Sequence, residues 1–264
     1  AYIGETFSLI YLPTFVNKRK VYDAVTNRTI AMLPGGEEIF SPAFEKNPRW
    51  QITPMATICP NCGWDLDGEE DSVVLTCKNC DSAWTVSDGD FGRIDFGTVP
   101  AKKGDAFHLP FWKIAASSAR GLEINSYADF IRITNQPKVV QKEWESRPMF
   151  FWIPAFKIRP GVFLKLSKHL TIAQNNFDMI DKVPGENIHP VTLPLAEAVQ
   201  GMKITLASSI MNKGKLFSCL PDVNFTAGET TLVYLPFHDA GHEIVQEQLH
   251  ISVQKKTLEY GRCL

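Results

Sequence analysis

No stretch of this 264-residue chain approaches the ~18–20 apolar residues of a membrane helix. The longest uncharged runs, around "TFSLIYLPTFVN" and "PMFFWIPAF", are too short and carry proline. The start, "AYIGETFSLIYLP", lacks the basic opening and small-residue cleavage site of a secretory signal, and also lacks an initiator Met, which leaves room for upstream residues. An excess of one charge is missing too. Lys and Arg number 27 and Asp and Glu 29, a net charge of −2, so no global basic field recruits nucleic acid or acidic lipid. Six cysteines are too few for a disulfide scaffold in a chain of this size. There is no Gly-x-Ser-x-Gly, phosphate-binding loop, Gly-x-Gly-x-x-Gly or His-Glu-x-x-His, and no acid–base pair can be assigned. The expectation is a protein that is not an enzyme.

What is present is ordinary globular composition, 44% hydrophobic and 21% charged, which places the chain outside the disordered and membrane classes. The length suits one large or two modest domains and does not need a metal for all its stability. A short phrase recurs around prolines 13, 110, 154 and 236, as "IYLPTFV", "FHLPFWKI", "FWIPAFKI" and "VYLPFHD". Proline forces its predecessor into extended geometry, and aromatic and β-branched neighbours favour strand. Each phrase is therefore expected to be a strand whose proline bends it or marks an edge. The irregular spacing excludes a solenoid and suggests a small β-rich unit duplicated and then diverged.

Two segments read as helices. Residues 160–174 open on Pro160, where a missing N–H is harmless, and place Phe163, Leu166 and Leu170 at helical spacing. Residues 194–210 open on Pro194 and carry an apolar stripe of Leu195, Val199, Met202, Leu206 and Ile210, which reads as core. "TNRT" (26–29) and "DAGH" (239–242) read as turns, and 180–194 as a connection. The expected fold is α+β, mainly β: a duplicated β-rich body with two amphipathic helices and an inserted cysteine module. The boundaries are 1–55 for the first part of the body, 56–92 for the module and 93–264 for the rest.

The module is "CPNCGWDLDGEEDSVVLTCKNC". Cys59-x-x-Cys62 and Cys77-x-x-Cys80 can each turn two sulfurs toward one ion, and two such turns complete a tetrahedral four-sulfur shell. Gly63 follows the first pair, where positive φ is needed; Asp81 fills that place after the second. "GWDL" and "SVVLT" flank a turn-like "DGEED", "SAWTVS" supplies a further strand, and Trp84 is expected to cover the hairpin face. These residues resemble the zinc-ribbon family. That resemblance covers about 35 residues and implies one structural Zn²⁺ held by Cys59, Cys62, Cys77 and Cys80. Iron also suits four thiolates, and "CPNCGWDLD" resembles the first turn of rubredoxin, but the second half and the short spacer depart from it. With four protein ligands no position stays open for water or substrate.

Zinc ribbons often read nucleic acid. Here Asp65, Asp67, Glu69, Glu70, Asp71, Asp81, Asp88 and Asp90 face Lys78 alone within residues 59–90, and phosphate binding needs Lys and Arg. Nucleic-acid or transcription-associated binding is thus disfavoured. The proline-aromatic phrases are similar, more distantly, to those of poorly characterised bacterial zinc-ribbon proteins with repeated "PF" segments. This likeness implies a cytoplasmic adaptor or accessory subunit in a larger or membrane-associated assembly. Reduced thiols beside a metal site also favour the cytoplasm.

Other candidates carry less. His238, Asp239 and His242 have metal-like composition but flank a hairpin turn. His108, beside a proline strand, and His169, on a helix, read as structural. Cys219 and Cys263 stand alone. Trp112, Trp144 and Trp152 are either core or the anchors of a protein interface.

Overall fold

A computed structural model describes residues 14–24, 26–32, 55–87, 89–102, 104, 106–120, 122, 124–211, 220 and 223–262. The chain forms two compact units, Ala1–Pro54 and Met55–Leu264.

In the first unit β1 (Thr14–Asn17), β2 (Lys20–Asp23) and β3 (Thr29–Met32) make an antiparallel sheet in that order. Lys18 and Arg19 both take positive φ, 47° and 65°, as a two-residue hairpin turn requires. Asn27 (φ 57°) makes the turn expected at 26–29, and Phe15 stacks on Tyr22 across the sheet. Pro13, the centre of the first phrase, lies outside the described residues.

The second unit opens with the four-cysteine segment, whose sheet is β4 (Val74–Cys77), β5 (Ser82–Ser87) and β6 (Asp90–Ile94). The chain continues through β7 (Phe96–Thr98), β8 (Phe107–Arg120), α1 (Tyr127–Thr134) and β9 (Phe150–Pro154). Helices α2 (Pro160–Ala173) and α3 (Leu195–Ser209) follow. Last come β10 (Asn224–Asp239), β11 (Glu243–Gln246), β12 (Ile251–Gln254) and α4 (Lys255–Gly261). The main sheet has the order β12-β11-β10-β8-β9, with β7 parallel to β10. This is the mainly-β α+β architecture expected.

The expectation of two helices is corrected to four α-helices among the described residues. Helices α2 and α3 match the two expected. Helix α1 is only eight residues but is fully capped: Ser126 accepts from Asp129 N–H, Asp129 bonds back to Ser126 N–H, and Asn135 closes the end at φ 52°. Helix α4 is shorter still, and neither shows enough turns for its period to stand out.

The three remaining phrases lie side by side. Strand β8 pairs with β9 and β10, putting Pro154 opposite Phe111, Tyr234 opposite Pro110 and Pro236 opposite His108. Both faces of this sheet are covered, so the phrases are apolar nearly throughout. Trp112, Ile114, Phe151, Ile153, Leu232 and Tyr234 face α1 and α3. Leu109, Phe111, Trp152, Val233, Leu235 and Phe237 face α2 and α4.

Of the three prolines only Pro154 is at an edge, closing the outer strand. Pro110 and Pro236 sit in central strands, which corrects the expectation of edges and bends. Pro110 stands at the last rung of its pairing with the outer strand, its carbonyl accepting from Ala155 N–H at 3.0 Å, and Pro236 stands where neighbouring strands leave a gap. Continuing the β8–β9 register places Ala155 opposite Pro110, and the Ala155 carbonyl turns away to accept from Thr192 N–H and Leu193 N–H. On the far side of β10, β7 ends opposite Tyr234 and β11 starts opposite His238. Pro236 fills the gap, and its carbonyl accepts from the Gln246 side chain at 2.9 Å. At Pro110 the reciprocal ladder bond is absent, and the Ala155 carbonyl is satisfied by Thr192 and Leu193 instead.

Candidate metal centre

The first cysteine turn closes on itself. Cys59 N–H donates to the Trp64 carbonyl (2.7 Å) and Gly63 N–H to the Cys59 carbonyl (2.9 Å), with Gly63 at φ 75°. The second turn joins β4 to β5, with Cys77 opposite Ser82 and Asp81 at φ 48°. Both positions that the sequence marks for positive φ therefore have it. Isolated bridges Ile58–Asp65 and Asp67–Thr76 build the expected hairpin.

The four sulfurs lie within 4.8 Å of one another, and all four thiols are free. Sγ of Cys59 is 3.6 Å from Cys80, and Sγ of Cys62 is 3.5 Å from Cys77. A tetrahedral shell with metal–sulfur bonds of about 2.3 Å has edges of about 3.8 Å. The cluster therefore fits one tetrahedral ion. Zn²⁺ and iron both suit such donors. No other group of three or more His, Cys, Asp or Glu side chains converges in this way among the described residues.

Donors surround the sulfurs. Cys59 faces the Asn61 and Cys62 N–H groups, and Cys77 those of Asn79 and Cys80. Cys62 faces the Asn79 side chain and Trp64 N–H. Ser82 Oγ is 3.1 Å from Cys80 Sγ and 3.6 Å from Cys59 Sγ. Burial pushes Cys59 up, but these hydrogen bonds, led by Ser82, outweigh it and hold the thiol down at about 6. Cys62 is also held below its ordinary value, chiefly by Asn79. Cys77 is fully buried and is pushed up to about 12, first by desolvation and then by the neighbouring cysteines. Hydrogen bonds thus favour the thiolate at Cys59 and Cys62, while desolvation disfavours it at Cys77.

A small core backs the site. Cys59, Leu66, Cys77 and Trp84 are buried together, and Trp84 covers the hairpin as expected. The acidic loop between the pairs is less free than its sequence suggests. Arg262 of α4's end holds Asp71 at 2.8 Å and reaches Glu69 at 3.7 Å, and Lys78 pairs with Asp67 at 3.3 Å. Val73 N–H donates to the Val191 carbonyl, and Val183 N–H to Asp81 Oδ1. Cys62 is exposed, and so are Trp64 and Ile58 of the same turn, at 61% and 50%.

The other candidates separate. Trp112 and Trp152 are 1% and 2% exposed and belong to the core, and Trp144 packs on Tyr127. Among the described residues the exposed indole is Trp64, which the sequence reading placed in a strand of the hairpin. His238 and Asp239 end β10, Gly241 N–H donates to Asp239 Oδ1, and Lys255 pairs with Asp239 at 2.6 Å. That is a braced hairpin turn. His108 is buried and His169 is exposed on α2. Cys219 and Cys263 lie outside the described residues. Sequence reasoning missed Ser82, Asn79 and Arg262. One signal was available for the first two: both cysteine turns read Cys-x-Asn-Cys, and Ser82 follows Cys80 at the spacing at which Trp64 follows Cys62. No helix among the described residues is long and apolar enough to cross a membrane. No protein-family profile, no curated protein and no solved structure matches the chain.

Proposed function

We propose that the chain is a non-catalytic zinc-ribbon protein, an adaptor or accessory subunit of a protein assembly in the cytoplasm, with one structural Zn²⁺ on Cys59, Cys62, Cys77 and Cys80. The observation that carries this reading is the saturation of the site. Four sulfurs in tetrahedral spacing leave no position for substrate, so the ion's contribution is to fold a module that buries little by itself. The exposed Trp64 and Ile58, beside the carboxylate of Asp65, are the natural contact for the partner, which would bring an apolar pocket and positive charge. The acidic loop argues against nucleic acid.

The test has two parts. Elemental analysis of natively purified protein is expected to give one zinc and no iron per chain. One iron instead would support the rubredoxin-like reading, in which the N–H groups around the sulfurs serve an electron-transfer centre. Affinity capture from native lysate is then expected to recover a partner with the wild type and not with the zinc-loaded Trp64→Ala variant. Identical recovery by both would sink the proposed contact, and retardation of nucleic acid in a low-salt gel shift would move the reading to a nucleic-acid factor.

A further inference from the structure

The larger unit holds a second polar site unrelated to the cysteines. A cavity of about 470 Å³ opens where β10 and β11 meet α4. That volume is ordinary for a small-molecule site, and its make-up is the usual one of an apolar floor with a few convergent polar groups. Phe107, Ile244 and Leu258 give the floor, and Asn187, His189 and Glu259 are among the polar residues lining it.

His189 is the unusual member. It is only 5% exposed, with its ring against Phe156 at 4.9 Å, and its Nε2 is buried without a hydrogen-bond partner. A buried nitrogen without a partner is an unmet hydrogen bond in the ligand-free fold, and the same ring lines the cavity. Burial, and then the nearby Arg262, hold the ring well below its ordinary range, at about 4, so the imidazole is neutral at physiological pH. Asn187 lines the same cavity at φ 56°, its carbonyl already taken by His108 N–H.

Charge then selects the ligand. Both cations of the lining are engaged: Lys255 with Asp239 at 2.6 Å, and Arg262 with Asp71 at 2.8 Å. Glu259 is exposed and makes no ion pair among the described residues. The charge left over is therefore negative.

We propose that this cavity is a binding site for a small molecule with an apolar body and a protonated amine, the amine directed to Glu259 and a hydrogen-bonding group to His189. The body replaces water on Phe107, Ile244 and Leu258. This goes beyond the adaptor reading and does not depend on the identity of the metal.

Benzylamine is a suitable probe, titrated into the full chain as purified and followed by calorimetry and by the histidine ring signals of ¹³C-histidine-labelled protein. Saturable binding that moves the ring signal absent from His189→Gln is expected. Glu259→Gln should weaken it at least tenfold, and Glu247→Gln, an exposed change outside the cavity, should leave it unaltered. Should His189→Gln fail to fold, the Glu259→Gln comparison decides the matter, since that side chain is exposed. Benzoate or benzyl alcohol binding as well as benzylamine would overturn the amine class. No saturable binding up to about 10 mM, or equal binding by Glu259→Gln, would overturn the site.

Discussion

The indole N–H of Trp84 donates to Ser82 Oγ at 2.8 Å, and that oxygen lies 3.1 Å from Cys80 Sγ. Ser82 Oγ therefore accepts from the indole while lying within hydrogen-bond distance of sulfur. The hydrophobic lid of the site and one of its four sulfurs are thus joined by a single buried hydroxyl.

Ser82→Ala is expected to destabilise the module by about 1–3 kcal/mol, because it strands a buried indole N–H as well as removing a donor to sulfur. Metal transfer to a colorimetric chelator should be faster than in wild type, with Ser82→Thr close to wild type. Equal transfer rates for wild type and Ser82→Ala would show that the relay does not support the site.

Metal removal should loosen β4–β6 while leaving the main sheet folded. The module's own core is four residues, whereas the main sheet is covered on both faces by separate clusters. Chelation is therefore expected to shift Trp84 emission to the red with little change in far-ultraviolet dichroism. Cys77→Ser should abolish metal binding and give the same spectrum.

Acidification should weaken the fold through His189. Its folded pKa of about 4 lies below its ordinary 6.5, so between those values the unfolded chain binds a proton that the folded chain does not. Stability is fully present above pH 6.5 and falls toward pH 4, by up to about 3 kcal/mol from this group. His108, also held low by burial, adds in the same direction. Denaturant midpoints from pH 7 to pH 4 check this: His189→Gln should show a shallower decline than wild type.

Gly261→Ala should cost about 1–3 kcal/mol, because a Cβ there would stand 2.3 Å from the Lys157 carbonyl oxygen, a backbone atom that cannot swing aside. Gly241→Ala meets open space and strains only the backbone at φ 83°, so about 1 kcal/mol is expected. Thermal unfolding of the two variants should rank them in that order.

Arg262→Ala should cost no more than about 1 kcal/mol, since its bonds to Asp71 and Glu69 are largely exposed. A double-mutant cycle with Asp71→Asn measures the pair directly, and the coupling should shrink in high salt.

Much of this was legible in the residues themselves. Cysteine spacing identified the four sulfurs that converge, Gly63 and Asp81 the turns, and Pro160 and Pro194 the starts of two helices, because each depends on contacts within a few residues. Trp64 and Trp152 show the limit. Both indoles lie in segments expected to be strand, yet Trp64, between Gly63 and Asp65, is 61% exposed, and Trp152, between Phe151 and Ile153, is 2% exposed; the sequence reading weighed Trp152 as a possible interface anchor and left Trp64 aside. The acidic loop read as a free, outward-facing surface until Arg262, 191 residues beyond Asp71, was found to hold it.

The sequence by itself determined the four sulfurs, the extended backbone around the prolines and the overall balance of strand and helix. Backbone preference and ligand spacing are local, and so they survive reading in one dimension. The tertiary structure alone decided that three proline phrases pair with one another, that Pro236 occupies a gap between neighbouring strands, and that His189 and Glu259 line one cavity. These depend on strand register and on which segments end beside one another, and such long-range geometry leaves no trace in the spacing of residues along the chain.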